Sequence, residues 1–383
     1  MEYKLSIVIP TKNRYETLFP CLDVLKSKTY DELEVIVHDN SNNNEEAIKY
    51  FAKNKRNNIR YYYKASSISV AENMDKAIEK SSGKYVCAIG DDDAVIPRII
   101  EVVELMDKNG IDSCSYIYAK YYWQNMKNVV NEYVPLILYK GMDGGWSYKD
   151  PKEELIKIMN TIEFSMNRLA IVYHGIVSRE ILNEINLKTG TYCPGPSPDL
   201  ANATAATLIT KRHVHIDMPL SIAGHSYNSA GGMGTRKKHV KELSEATWIA
   251  KEDKENWEKK IPFVWTAETV WAESLIKSLK KMGRIDVLSD FNYLRFYANF
   301  ILHHPRYTFR AIKASPSSLG GLVVYGPYYA FKKVRRIFAL RIDKERCTNW
   351  ITLGKEVKSL HDAVVEVETY AKALTIHARA LEI

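Results

Sequence analysis

Over its first hundred positions the chain alternates between two spacings of apolar residues. Leu5 to Ile9 is a near-continuous apolar run closed by Pro10, as expected of a parallel strand covered on both faces. Residues 15–27 then set Leu18, Leu22 and Leu25 at helical spacing, and Leu33 to Val37 is a second apolar run ending in His38 and Asp39. The spacing next predicts a helix through Ile48 and Phe51, a strand at Arg60 to Tyr63, a helix over Val70 to Ile78 and a strand at Lys84 to Ile89. Strands alternating with helices imply an α/β fold, a mostly parallel, doubly wound sheet with right-handed crossovers.

After Pro97 the pattern predicts a helix to about Lys108 and a strand near Ser113 to Tyr118. Residues 120–150 lose clear period and read as irregular. A helix near 152–167, a strand near 170–178, a helix after Pro198 and a strand at His213 to Ile222 follow. From Arg236 the reading changes to long amphipathic helices of mixed charge, broken near Pro262, Gly283, Pro305 and the Gly320-Gly321 pair. The expected division is 1–235 for an α/β domain and 236–383 for an α-helical C-terminal extension.

A chain of 383 residues can bury a substantial core, and its 46% hydrophobic and 26% charged residues exclude wholesale disorder and disulfide miniatures. Five cysteines with no CxxC pair suggest neither a zinc cluster nor a disulfide framework, which suits a reducing compartment. The N-terminus lacks the basic start and apolar stretch of a secretory signal, so a cytoplasmic location is expected. Leu319 to Phe331, interrupted by Gly326 and Pro327, is shorter than the roughly 20 apolar residues a spanning helix needs. A net charge of +8 suits a phosphorylated substrate, an anionic membrane face or nucleic acid without choosing among them.

In an open α/β sheet, ligands sit outside the carboxyl ends of the strands. Here those ends read Pro10-Thr11-Lys12-Asn13-Arg14, His38-Asp39-Asn40-Ser41 and Gly90-Asp91-Asp92-Asp93. Three adjacent carboxylates repel one another, and a divalent cation with hard oxygen ligands, Mg²⁺ or Mn²⁺, is their natural partner beside substrate phosphates. The competing role is a solvated acidic turn ahead of the helix that starts near Pro97.

Leu5 to Arg14, Val35 to Ser41 and Gly83 to Asp93, taken together and in this order, resemble the family 2 glycosyltransferases of GT-A fold over roughly residues 4–110. The resemblance implies a Rossmann-like GT-A domain and an inverting transfer of a sugar from a nucleotide-sugar donor, usually a UDP-sugar, to an acceptor hydroxyl. Carried across, Pro10, Thr11, Asn13 and Arg14 would contact the nucleoside and diphosphate, Asp39 the base, and Asn73 the border of the donor site. The family's DXD motif falls on Asp91-Asp92-Asp93, with Asp91 favoured toward the ribose, Asp93 on the metal and Asp92 as competitor. Lys12 stands where an aromatic is common.

Inversion by single displacement needs a general base on the face opposite the leaving diphosphate. Asp199 ends the proline-stiffened stretch Cys193 to Pro198 and opens an Ala-rich helix, where the family commonly presents its catalytic Asp; a plain helix cap is the alternative, and Glu163 and Glu180 are fallback acids. Gly224 to Gly234 is glycine-rich enough to be a lid, and His225 within it is a candidate metal ligand with Asp91 and Asp93. His213 and His215 lack a third ligand and read as structural. Tyr121, Tyr122, Trp123 and Trp146 suit sugar stacking or, more simply, core packing.

Lys332, Lys333, Arg335 and Arg336 follow an apolar stretch, which suits either a solvated basic face or peripheral contact with anionic lipid carrying a lipid-linked acceptor. Neither GxGxxG nor GxxxxGK[ST] occurs, and no nucleic-acid motif is present. The expectation is a metal-dependent transferase acting on a saccharide or lipid-linked glycan in surface polysaccharide biosynthesis, with oligomeric state open. The rival is a non-catalytic sugar- or nucleotide-binding protein on the same scaffold.

Overall fold

The computed structural model describes residues 3–129, 133–139, 141–236, 240–342, 350–353 and 357–379. Its strands are β1 (Leu5–Thr11), β2 (Glu34–Asp39), β3 (Ile59–Tyr63), β4 (Tyr85–Ala88), β5 (Ala94–Val95), β6 (Ser113–Tyr122), β7 (Leu136–Tyr139), β8 (Gly145–Lys149), β9 (Gly175–Ser178), β10 (His213–His225), β11 (Trp350–Leu353) and β12 (His377–Ala378). They form one mixed sheet in the order β12-β8-β10-β6-β9-β4-β1-β2-β3, with β5 on β10 and β7 bridging β6 and β11.

The half nearest the N-terminus is parallel: β3, β2, β1 and β4 run side by side with Thr11 opposite Asp39 and Val8 opposite Ala88. Burial on both faces explains why β1, β2 and β4 are legible as apolar runs. Beyond β4 the pairing changes, because β9 lies antiparallel between β4 and β6. Parallel character is thus confined to that half and to the β6–β10 and β8–β12 pairs.

Two readings shift. Residues 120–150 are not irregular: β6 runs on to Tyr122, β7 pairs it antiparallel, and β8 pairs β10. The strand expected over 170–178 begins only at Gly175, since His174 has φ +50, a left-handed backbone that ends extended structure. The helix expected over 152–167 ends at Thr161, with Ile162 left-handed at φ 56.

Helices Tyr15–Leu25, Ile99–Asn109 and Leu360–Lys372 bury their apolar sides in one core, while Val70–Glu79, Arg179–Thr189 and Pro198–Ile209 cover the opposite face. A third cluster joins Pro151–Thr161, Ala267–Lys281 and Tyr293–His303. The region expected to be a purely helical extension is helical to Ile342, after which β11, helix Leu360–Lys372 and β12 return to the sheet. Cys21, Cys87, Cys114 and Cys193 are buried free thiols, and Cys347 lies outside the described residues. No helix among the described residues is long and apolar enough to cross a membrane.

Candidate active site

The carboxyl ends of β1, β2 and β4 deliver their polar turns to one rim of the sheet. Asn13 takes a left-handed backbone, φ 55, at the turn after β1, a conformation Asn tolerates better than most residues. Its N–H donates to Ser41 Oγ (2.6 Å), and its Oδ1 accepts from the Asn42 N–H (2.9 Å), so the first two turns are tied together. Thr11 Oγ1 donates to Asp91 Oδ2 (2.6 Å), tying the first turn to the third.

Arg14 projects from the same turn across the aspartates. Its Nη1 lies 2.8 Å from Asp91 Oδ1 and its Nη2 3.0 Å from Asp92 Oδ1, and Nη2 also donates to Ser226 Oγ at 2.8 Å. Burial works against the guanidinium's charge, but the facing Asp91 and Asp92 overrule it and raise its pKa above the ordinary value. Burial, with Asp92 beside it, raises Asp91, and Arg14 offsets part of that.

Asp92 Oδ2 accepts from the Ser226 N–H (3.1 Å) and hydroxyl (2.8 Å), and Trp123 Nε1 donates to the Asp92 carbonyl (3.0 Å). The glycine-rich stretch expected to be a lid is folded against the aspartates, and a Cβ on Gly224 would overlap the Asp92 carbonyl. Asp93 accepts three hydrogen bonds, from the Gly224 N–H on Oδ1 and from the Gly90 N–H and the Tyr173 hydroxyl on Oδ2, and His174 Nε2 lies 3.0 Å from Oδ2 without hydrogen-bond geometry. Burial pushes its pKa up, but His174 and the two backbone N–H groups together bring it below the usual carboxylate value.

The remaining expected residues fall on the same rim. Asn73 Nδ2 donates to the Thr11 carbonyl (3.2 Å) and to Asn40 Oδ1 (3.0 Å), while its Oδ1 meets His38 Nδ1 at 2.6 Å. Asp39 is fully buried; Oδ2 accepts from the Tyr15 and Tyr61 hydroxyls, both at 2.6 Å, and Oδ1 from the Ser41 N–H. Oδ1, with that single donor, is the oxygen that keeps acceptor capacity for a base-recognition role. Pro10, the penultimate residue of β1, is partly buried.

Asp199 sits in the first turn of helix Pro198–Ile209, with Pro at its opening position and no side-chain cap from Ser197. Burial pushes its carboxyl up to about 6, with His174 pulling down and Asp93 pushing up, so Asp199 and Asp93 feel the same imidazole. Its loop is fastened at both ends: Asp75 accepts from the Tyr192 (3.0 Å) and Cys193 (2.9 Å) N–H groups, and Ser274 Oγ accepts from the Ser197 N–H (2.8 Å). Glu163 and Glu180 are exposed, and Glu163 pairs with Lys332.

Sequence reasoning missed His174 and Asn202. His174 joins Asp93 through Nε2 at 3.0 Å and Ser221 Oγ through Nδ1 at 2.7 Å, on a strained backbone of the kind that clusters at functional sites. Asn202 Oδ1 accepts from the Val172 N–H and its Nδ2 donates to the Tyr192 carbonyl, fixing the segment that presents His174. Only the isolated His-Gly pair at 174–175 hinted at the first, and nothing local at the second.

His225 stacks on Tyr122 with centroids 4.8 Å apart, and its buried Nδ1 has no hydrogen-bond partner. His213 and His215 bond Ser113 and Ser115, and burial drives them down to about 3 and about 4, which supports a structural role. Tyr121 is core, and Trp146 packs partly buried against it.

No three His, Cys, Asp or Glu side chains among the described residues are arranged to hold an ion as they stand. The donor chemistry nevertheless suits a hard divalent cation at Asp91 and Asp92: each turns one oxygen onto a single positive group, and the buried Asp91 Oδ1 has no hydrogen bond despite its ion pair with Arg14. Asp93, expected as a ligand as well, has both oxygens engaged by the three hydrogen bonds from Gly224, Gly90 and Tyr173.

The chain is similar to several known proteins. It is 36% identical over 106 residues to an uncharacterized glycosyltransferase, YibD, of Escherichia coli (strain K12), covering 27% of this chain and 30% of that protein. It is 24% identical over 186 residues to glycosyltransferase GlyG of Streptococcus pneumoniae serotype 4, covering 44% and 62%. The chain thus spans less than two thirds of the length of these curated relatives. Among solved structures, Staphylococcus aureus TarS 1–349 in complex with UDP-GlcNAc gives a TM-score of 0.44 at 14% identity over 83% of this chain and 92% of that one. Mannosyltransferase PcManGT from Pyrobaculum calidifontis, in complex with GDP-Man and Mn²⁺, gives 0.40 at 14% over 86% and 88%. The model of glycosyl transferase family 2 matches residues 6–170, from the first strand through all three polar turns and the aspartate trio. Over that segment, which carries β1 to β4 and the aspartate rim and stops short of β9, β10 and Asp199, the chain is similar to glycosyl transferase family 2.

Proposed function

We propose that the chain is a glycosyltransferase that moves a sugar from a nucleotide-sugar donor to an acceptor hydroxyl with inversion at the anomeric carbon. The observation that carries this reading is the convergence of Arg14, Asp91 and Asp92 on the rim that also holds Asp93, His174 and a carboxyl, Asp199, raised to about 6. A base poised near neutral pH is what abstraction of a hydroxyl proton requires. Asp199 takes the acceptor's proton as that oxygen forms its bond to the anomeric carbon, and the bond from that carbon to the diphosphate breaks with its electron pair leaving on the nucleoside diphosphate.

Arg14 is assigned to the diphosphate, with Thr11, Asn13 and Pro10 shaping the turn beneath it, and Asn73 and Asp39 to the nucleoside side. Mn²⁺ or Mg²⁺ held by Asp91 and Asp92 would offset the charge of the leaving group. Asp93, fixed by His174, Tyr173, Gly90 and Gly224, keeps His174 facing Asp199. We assign residues 1–235 to donor binding and chemistry, and the helices after them to the acceptor side. A UDP-sugar donor, a saccharide or lipid-linked glycan acceptor and a cytoplasmic place in surface polysaccharide synthesis complete the reading.

Thermal denaturation with UDP, GDP and their sugars, with and without Mn²⁺, tests it. Ligand at a hundredfold over its Kd adds about 2.7 kcal/mol, or a rise of about 3 °C for a chain of this size. A metal-dependent rise together with nucleoside diphosphate release is expected. No shift with any nucleotide overturns the reading, and a shift without turnover transfers it to a binding protein on this scaffold.

A further inference from the structure

Helix Ser318–Ile342 departs from the rule that a surface helix is apolar on one side only. From Ser318 to Phe331 it contains no charged residue. One side is accounted for: Gly321 lies so close to the Leu294 backbone that a Cβ would overlap it, Asn292 Nδ2 donates to the Tyr325 hydroxyl, and that of Tyr329 donates to the Thr161 carbonyl at 3.1 Å.

The opposite side faces outward and is apolar as well. Leu319, Val323, Val324, Tyr328, Phe331 and Val334 recur at helical spacing, with Val323 77% and Phe331 68% exposed, and Phe309 on the preceding helix is 76% exposed. Isolated exposed apolar residues are ordinary, but a continuous stripe of them marks a contact surface.

Charge says what the stripe contacts. Residues 291–342 carry nine Lys or Arg and no Asp or Glu, so this one segment exceeds the net +8 of the entire chain. Lys333 and Arg335 are exposed just beyond Phe331. Lys332 pairs with Glu163, and the side chain of Arg336 lies outside those described. A protein partner would need acids to match; a second copy of this chain would set basic residue against basic residue. An anionic bilayer surface offers both an apolar layer for the stripe and a negative plane for the cations.

We propose that the outward face of helix Ser318–Ile342 docks this protein on an anionic lipid surface, lying in the interface without crossing it. The inference does not depend on the catalytic assignment. It is tested by flotation of the full chain with vesicles of phosphatidylcholine alone and of phosphatidylcholine with about one third phosphatidylglycerol. Expected is at least about tenfold greater partition onto the anionic vesicles, weakened by salt.

Val323→Asp with Phe331→Asp removes the apolar contact, and Lys333→Glu with Arg335→Glu the charge; each pair is expected to cut binding about tenfold or more. Both pairs lie on the surface, away from the aspartate rim, and unchanged circular dichroism and nucleotide binding serve as controls for folding. Three results overturn the proposal: no binding to either vesicle, binding that neither pair weakens, or a dimer in solution that Val323→Asp splits.

Discussion

Asp199→Asn separates the two demands placed on one carboxyl. Folding raises this group from 3.8 to about 6, chiefly through burial. For an acid whose native value lies above its unfolded value, the native chain binds its proton more tightly, so the group's contribution to stability falls as pH rises from about 4 to about 6 and stays low above that. A gap of about two pKa units is about 3 kcal/mol at most, and partial exposure of Asp199 trims it. At pH 8 the Asn variant should therefore melt up to about 3 °C higher than the parent, and at pH 4 about the same.

Catalysis should move the other way. The base must be ionised to act: with a value near 6, about nine tenths is ionised at pH 7 and about one tenth at pH 5, a tenfold fall in kcat/KM over that window. The Asn variant should lose about 10²- to 10⁴-fold in nucleoside diphosphate release while its donor affinity stays within about threefold. His174→Asn supplies the cross-check, since Asn tolerates the left-handed backbone at φ +50 while removing the imidazole. Because His174 lowers Asp199, its loss should carry the acid limb of the pH profile upward. An Asn variant keeping more than about a tenth of parental turnover refutes Asp199 as the base. An acid limb that His174→Asn leaves in place refutes the coupling.

Two further substitutions report on the scaffold. Gly224→Ala forces a methyl into the Asp92 carbonyl and should weaken donor and Mn²⁺ binding at least about tenfold, read by calorimetry, while the far edge of the sheet keeps its hydrogen-exchange protection. Glu34→Gln, at the opposite end of β2 from Asp39, leaves a buried cluster mismatched: Glu34 accepts from Ser6, from the Ser82 hydroxyl and N–H and from the Gly83 N–H, and pairs with Arg60. A loss of about 3–5 kcal/mol should lower the melting point by about 4–6 °C without altering donor affinity.

What was legible in the sequence divides along how each residue gets its neighbours. β1, β2 and β4 are buried on both faces, so their apolar runs announce them, and each hands its polar turn to the rim by chain continuity alone. Asp91 and Arg14 could be named for that reason, and Asp199 from the proline-stiffened stretch that opens its helix together with the family resemblance. β7 and β8 could not, because one partner of each, β11 and β12, comes from far along the chain, and half-exposed strands of four or five residues carry too little periodicity to stand out. β9 is short and runs against its neighbours, which the repeating strand-helix pattern concealed.

The same distinction explains the missed half of the site. His174 matters because β4, β10 and helix Pro198–Ile209 surround it, bringing Asp93, Ser221 and Asp199 to one imidazole. Asp75 matters because it grips the backbone at Tyr192 and Cys193, over a hundred positions away. Strand-end turns thus place groups that meet a donor, while long-range contacts set the protonation and aim of the group that meets the acceptor. Substitutions in the first set should chiefly alter nucleotide affinity, and those at His174, Asp75 or Asn202 turnover and its pH dependence. Such a split is readable as KM against kcat, and the reverse assignment would undo the division of labour argued from this geometry.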